Sequence, residues 1–214
     1  ALGHRRLAVI DLTEHAAQPM TSASGRYVLA YNGEIYNYRE LQAELDCDGG
    51  DTRTLLAAIE AWGPARALDR AEGMFALALW DTKDRTLTLA RDRFGEKPMY
   101  YGRLAGGFAF ASELWALRAC AEFDRALDRE ALALYLRYAC IPAPWTIHRR
   151  ARKLPPGTTL TIDTAGPRRA PEPRPYWSVD QAAGRAAAHP FSGDMTEAVD
   201  ECERQIGRAS CRER

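Results

Sequence analysis

Apolar positions along the chain fall into short runs that switch between period two and the period of a helix, and those switches predict the elements. Residues 6–11, with Leu7-Ala8-Val9-Ile10 at their centre, read as a buried strand, and a polar loop follows from Thr13 to Gly25. Arg26-Tyr27-Val28-Leu29-Ala30-Tyr31 is β-branched and aromatic, as strands are. Asn32-Gly33 then predicts a tight turn, because that pair favours positive φ, and Glu34 completes it. Asn37 and Glu40 are spaced as a capping pair, and Leu41 and Leu45 lie one turn apart, so 27–45 reads as strand, turn and helix. Asp51 or Thr52 caps a second helix with the stripe Leu55, Leu56, Ile59 and Trp62, stopped by Gly63-Pro64, and a short helix covers 65–70.

Met74 to Trp80 is almost wholly apolar, which suits a strand covered on both faces, whereas Thr86 to Ala90 alternates as a half-exposed strand does. Met99–Arg103 and Phe108–Ala111 form a second pair about Ala105-Gly106-Gly107. Ser112 is placed to cap a helix over 113–121. Asp128 is placed to cap one over 129–138, with Leu132, Tyr135 and Leu136 facing inward. Ile141-Pro142-Ala143-Pro144 is rigid and extended, and Thr158–Asp163 is a last strand. Past 163 the prolines at 167, 171, 173 and 175 mark a linker, with a weak helix at 194–206. Strands mixed with helices and joined by hairpins give an α+β class with largely antiparallel sheets.

With 214 residues, 46% hydrophobic and 27% charged, the chain can bury one sizeable core and part of another. Its 29 basic and 29 acidic side chains cancel, which removes the long-range attraction that nucleic acids and anionic membranes exert on their binders. The basic run 147–153 therefore reads as a solvated loop, and no apolar run reaches the length of a membrane span. Cys47, Cys120, Cys140, Cys202 and Cys211 form no Cys-x-x-Cys pair, and His4, His15, His148 and His189 show no ligand spacing. The expectation is thus no metal site and a reducing, cytoplasmic setting.

Three polar features stand beside strand ends or helix starts: Arg6, Asn32-Gly33-Glu34 and Asp51. Each alone is an ordinary surface cation, turn or cap. Together they suit a zwitterionic amino acid. A guanidinium grips a carboxylate through its planar fork, an acidic side chain pairs with an ammonium, and an amide plus a glycine N–H aimed at one point stabilise an oxyanion.

The ordered motifs resemble the glutamine-hydrolysing asparagine synthetases, whose N-terminal half is a class-II glutamine amidotransferase. They are His4-Arg5-Arg6-Leu7-Ala8-Val9-Ile10-Asp11, Gln18-Pro19-Met20, Tyr31-Asn32-Gly33-Glu34-Ile35-Tyr36-Asn37 and Gly73-Met74-Phe75-Ala76. Further on come Arg91-Asp92-Arg93-Phe94-Gly95-Glu96-Lys97-Pro98-Met99-Tyr100-Tyr101, Phe110-Ala111-Ser112-Glu113 and Lys153-Leu154-Pro155-Pro156-Gly157. The resemblance spans about residues 2–180 and implies an N-terminal-nucleophile hydrolase fold, two stacked antiparallel sheets flanked by helices in an αββα sandwich, here incomplete. It implies a domain over 1–163, a Pro-rich linker over 164–193 and, over 194–214, the start of an ATP-dependent synthetase domain whose tail reads as non-native.

By the same resemblance Arg6 holds the glutamine α-carboxylate, with Leu7 and Ile10 lining the pocket. Asn32 and Gly33 are oxyanion donors, and Glu34 and Asp51 face the α-ammonium. Arg53 departs from the glutamate usual two residues after the aspartate, and 91–101 takes a structural role. The family nucleophile is a Cys at the mature N-terminus; Ala1 stands first here, and internal Cys47 lacks the free amine that serves as base. Ser192-Gly193-Asp194 is not the family's pyrophosphate loop. The stretch as given is therefore expected to be inactive alone, with ATP and Mg²⁺ serving the parent enzyme, aspartate as acceptor, neither cofactor bound here, and a homodimer compatible with the resemblance. Two alternatives stay open: an inactive glutamine-binding or interaction module, and another ATP-dependent amide-forming enzyme of the superfamily.

Overall fold

The computed structural model describes residues 1–5, 17–164 and 172–210. The strand expected over 6–11 lies outside them, as do Arg6, Leu7 and Ile10. In chain order the elements are β1 (Met20–Thr21), β2 (Tyr27–Ile35), α1 (Tyr38–Leu45), α2 (Asp51–Trp62), α3 (Pro64–Arg70), β3 (Gly73–Asp81) and β4 (Thr86–Arg91). Then come β5 (Tyr100–Leu104), β6 (Gly107–Ala111), α4 (Leu114–Arg118), α5 (Arg129–Tyr138), β7 (Ala151–Lys153), β8 (Thr158–Asp163), β9 (Arg174–Pro175), α6 (Val179–Ala188) and α7 (Met195–Ser210).

Two sheets form, and every pairing in them is antiparallel. One has the order β1-β2-β3-β4-β8-β9, the other β6-β5-β7. Strand alternation sorts the side chains into layers. Leu29, Tyr31, Ile35, Phe75, Leu77 and Leu79 pack with Leu41, Leu55, Leu56, Ile59 and Leu68 of the helices. Ala30, Ala76, Ala78, Leu89 and Leu160 face the other way, meeting Tyr101, Phe108 and Phe110 of the second sheet. Leu117 and Phe123 cover that sheet's far side. The layers run helix, sheet, sheet, helix. The unbroken apolar run of β3 follows from its position: both its faces are buried.

Several local expectations are corrected, among them the cap of α2, which is Gly50 and not Asp51 or Thr52. Asn32-Gly33 does not turn. β2 runs straight through it in unbroken register, Tyr27 against Asp81 to Ile35 against Gly73. Turn chemistry loses to ladder pairing because Gly33, at φ 158°, is almost fully extended. Asn37 does not cap α1 with its side chain. Instead its amide ties the start of α1 to the end of α3, Nδ2 donating to the Arg70 carbonyl at 3.0 Å and Oδ1 accepting from Glu72 N at 3.0 Å. Ser112 is not the cap of α4; Glu113 holds that place with no side-chain bond. Asp128 does cap α5, accepting from the N–H groups of Glu130 and Ala131. Even so, Leu132, Tyr135 and Leu136 point outward, Leu136 being 77% exposed. The linker range also carries structure: Arg174 pairs with Thr159 in the first sheet, and α6 follows.

Asn37 is buried, so Asn37→Ala leaves Glu72 N–H and the Arg70 carbonyl without their partner. The expected cost is about 1–3 kcal/mol, read as a lower urea midpoint at unchanged slope.

Candidate functional site

The geometry follows from which edge of β2 each backbone group faces. Along a strand, the N–H and C=O groups of residues two apart point to the same edge. Tyr31 N–H goes to the side chain of Gln18, at 2.6 Å from Oε1, and Ile35 N–H goes to Asp51 Oδ2 at 3.1 Å. Both point away from β3. Gly33 lies between them, so its N–H falls on the same outer edge. Its cross-strand partner agrees: Phe75 turns its own N–H and C=O away from β2, to Asp92 Oδ2 at 3.3 Å and Asp92 N at 2.8 Å.

Gly33 must be glycine for steric reasons. A Cβ there would stand 2.1 Å from the Met74 carbonyl oxygen and 2.6 Å from Phe75 Cα. The absent side chain lets β2 and β3 close up at the point where the Gly33 N–H is presented.

Asn32 and Glu34 share the parity of Ala30, which places them on the face toward the second sheet. Among the described residues the Asn32 side-chain amide has no hydrogen-bond partner. Asp51 comes from the opposite, helical face. It is 6% exposed in the first turn of α2, and its Oδ2 also accepts from Tyr31 Oη at 3.1 Å. The Gly33 N–H and Asp51 therefore lie along one stretch of β2's outer edge, Asp51 coming from the helical face, while Asn32 and Glu34 lie on the face toward the second sheet, and none of them is arranged around a turn. Burial raises the Asp51 carboxyl above its ordinary range, while the Ile35 N–H and the Tyr31 hydroxyl hold it down. Burial, and then the Asp51 charge, pushes the Tyr31 phenol well up, so it stays protonated and donates.

Arg53, two residues after Asp51, points elsewhere: its guanidinium pairs with Asp48 at 3.6 Å in the solvent. Cys47 lies beyond α1, and burial pushes its thiol up, the opposite of what an activated nucleophile shows. Among the described residues no group of three His, Cys, Asp or Glu could hold a metal ion, and no helix is long and apolar enough to cross a membrane. The basic run is engaged locally, Arg149 donating to the Leu127 carbonyl and Arg152 to that of Arg149.

Asp92 and Arg91 show what the 91–101 motif does. Asp92 is fully buried, and its carboxylate accepts from the N–H groups of Phe75, Phe94, Glu96 and Lys97. Arg91 donates to the carbonyls of Gly95, Lys97 and Leu154. This knot locks the loop after β4 onto β3, directly across from Gly33. Asp92 gives the 91–101 motif the structural role expected of it, and Tyr31 and Gln18 join it in the site's frame without having been given a role there in sequence. Of these two, only Tyr31 had a signal, since strand alternation puts its ring on the face where α2 begins.

A family model for the glutamine amidotransferase domain matches residues 1–177. The chain belongs to that family. A putative glutamine-hydrolysing asparagine synthetase of Mycobacterium bovis is 42% identical to this amidotransferase domain over 174 residues, covering 75% of this chain and 26% of the relative. Asparagine synthetase 1 of Bacillus subtilis, also glutamine-hydrolysing, is 38% identical over 170 residues, covering 77% and 26%. The chain thus spans about a quarter of the length of these relatives. Among solved structures, the glutamine phosphoribosylpyrophosphate amidotransferase of Bacillus subtilis superposes with a TM-score of 0.57 at 19% identity, covering 81% of this chain and 34% of that one. A structure described as the allosteric regulatory enzyme of purine biosynthesis gives 0.55 at 18%, covering 76% and 32%. The αββα sandwich of the amidotransferase domain is therefore the N-terminal-nucleophile hydrolase fold.

Proposed function

We propose that this amidotransferase domain binds glutamine at the outer edge of β2 and releases its amide as ammonia, which a larger glutamine-dependent asparagine synthetase uses to amidate aspartate at the expense of ATP. The observation that carries the reading is the Gly33 N–H, which points away from β3 and has no partner among the described residues, between two neighbours whose own N–H groups are already taken. Attack on the δ-carbonyl carbon turns its oxygen into an anion, and the Gly33 N–H with the Asn32 amide are the donors that receive it. Asp51 takes the α-ammonium from the helical face, Glu34 lying on the other face of the strand, and Arg6, with Leu7 and Ile10, takes the α-carboxylate. The family resemblance assigns the nucleophile to an N-terminal Cys that uses its own α-amine as base, a role given to no residue of 1–214.

The described residues offer ATP no phosphate cradle at Ser192-Gly193-Asp194. There Asp194 and Glu197 cap the start of α7 reciprocally, Oδ1 of one and Oε2 of the other accepting backbone N–H groups at 2.9 and 3.0 Å. Two carboxylates at that helix end repel a polyphosphate, so no step of the proposal runs through it.

The test is glutamine-dependent ammonia release by the full-length protein. Arg6→Ala is expected to raise KM for glutamine at least about tenfold, as loss of a charged hydrogen-bond pair does, with kcat nearly unchanged. An Arg6→Ala enzyme with unaltered KM removes Arg6 from the carboxylate role, and no ammonia from the full-length protein removes the function.

A further inference from the structure

We infer that Tyr31 is the positioning residue for Asp51, and that through it the site prefers an amino acid bearing a free α-ammonium over its des-amino counterpart. The inference rests on the reading of Asp51 as the ammonium's partner and adds the residue that aims it.

Asp51 is a buried carboxylate with no Lys or Arg in ion-pair range among the described residues. Its two oxygens are used unequally. Oδ2 takes both strong donors, the Tyr31 hydroxyl and the Ile35 N–H, each at 3.1 Å. Oδ1 has the Thr52 hydroxyl at 3.5 Å, a weak contact, and the neighbouring Thr52 N–H also bonds the carboxylate. A carboxylate offers about four lone-pair sites, so Oδ1 keeps the capacity to accept from an ammonium.

The two donors on Oδ2 come from positions 31 and 35 of the same strand, on either side of Gly33. The torsion that sets a carboxylate plane in Asp is broad, and one donor leaves it free to swing. Two donors, a hydroxyl and a backbone N–H, hold Oδ2 in place and so fix the plane of the carboxylate and the direction of Oδ1. Ile35 N–H is backbone and invariant to mutation. Among the described residues Tyr31 is therefore the side chain that holds Oδ2 and sets the aim, and its buried phenol keeps the proton needed to do so.

The experiment compares glutamate and glutarate, which differ only in the α-amino group, as competitive inhibitors of glutamine hydrolysis by the full-length protein. The ratio of the two inhibition constants reports recognition of the ammonium, and the glutarate constant alone reports an intact pocket. Tyr31→Phe keeps the ring and removes the hydroxyl. It is expected to shrink the glutamate preference about tenfold, the scale of one charge-assisted hydrogen bond, and to leave glutarate inhibition unchanged. Asp51→Asn is expected to abolish the preference. If Asp51→Asn abolishes it and Tyr31→Phe leaves it intact, the positioning role is overturned and the Asp51 reading stands. If both variants leave it intact, the Asp51 reading itself falls, and the positioning role with it. If Tyr31→Phe weakens both inhibitors equally, the hydroxyl serves only the fold, and the proposal is overturned.

Discussion

Asn32→Ala in the full-length protein is expected to lower kcat for glutamine hydrolysis by about a hundred- to a thousandfold, with KM for glutamine changed by less than about threefold. The split follows from what the amide meets in each state. A ground-state carbonyl is a neutral acceptor with a modest hold on the Asn32 Nδ2 donor, whereas the tetrahedral oxyanion carries a full charge that a preplaced donor meets far more strongly. Removing a donor of this kind costs about 2.7–4 kcal/mol of barrier height. Asn32 is the right position to test because its amide has no other partner among the described residues. Its neighbours Ala30 and Ala76 hold the sheet-to-sheet contact without it. Gly33 is a poor choice for the same question: any side chain there collides with the Met74 carbonyl and Phe75, so loss of activity would report a broken ladder. Asn32→Asp is a useful companion, since it keeps the size and replaces a donor with an anion facing an anion. Its turnover is expected to be no better than that of the alanine variant. Steady-state ammonia release, with thermal unfolding to show that both variants keep the wild-type midpoint, decides it. A kcat within about threefold of wild type removes Asn32 from the oxyanion hole.

The layers were legible in sequence because burial leaves a periodic trace. The all-apolar run of β3 announced a strand between two covering layers, and the stripe Leu55, Leu56, Ile59 fixed the inner face of α2. The pattern failed where a local rule competed with a long-range partner. Asn-Gly is turn chemistry in isolation, yet nine ladder pairs with β3 hold it extended. Asn37 sits where a cap belongs, but its amide is claimed by Arg70 and Glu72, more than thirty residues on. Leu132, Tyr135 and Leu136 have helical spacing, and spacing alone does not say what covers the face. Asn32, Gly33 and Asp51 stand out in sequence as candidate residue types, but where each lies relative to the others does not. Which face of a sheet a residue occupies is set by the register, and the approach of Asp51 to the strand edge from the helical face leaves no periodic signature. The 91–101 motif read as structural, and so it is, but that Asp92 collects four backbone donors was not legible, since in sequence it looks like any loop carboxylate.

Asp92→Ala is accordingly expected to be the most destabilising single change in this domain outside the apolar core, at about 3–5 kcal/mol. The carboxylate takes Phe94 N and Glu96 N on Oδ1, both at 3.0 Å, and Lys97 N at 2.9 Å and Phe75 N at 3.3 Å on Oδ2. Alanine strands all four donors. Each buried, unpaired N–H costs about 1–3 kcal/mol, but the loop over 94–97 can open and recruit water, so the sum is not reached. What the loop regains in hydration it loses in order. Arg91 is anchored to the Gly95 and Lys97 carbonyls of the same loop, and its grip weakens as that loop opens. Because a domain of this size has only about 5–15 kcal/mol in hand, such a loss takes up a large share of it. Asp92→Asn retains one acceptor oxygen and turns an NH₂ toward two donors, so it should fall between alanine and wild type. Urea unfolding of the three proteins gives the ranking. A loss below about 1 kcal/mol for Asp92→Ala would show that the loop's N–H groups are satisfied by solvent and that the knot does not hold β3. A loss of the expected size, with β3 loosened opposite Gly33, should also depress glutamine turnover in the fraction that remains folded, since the oxyanion donor is only as well placed as the strand beside it.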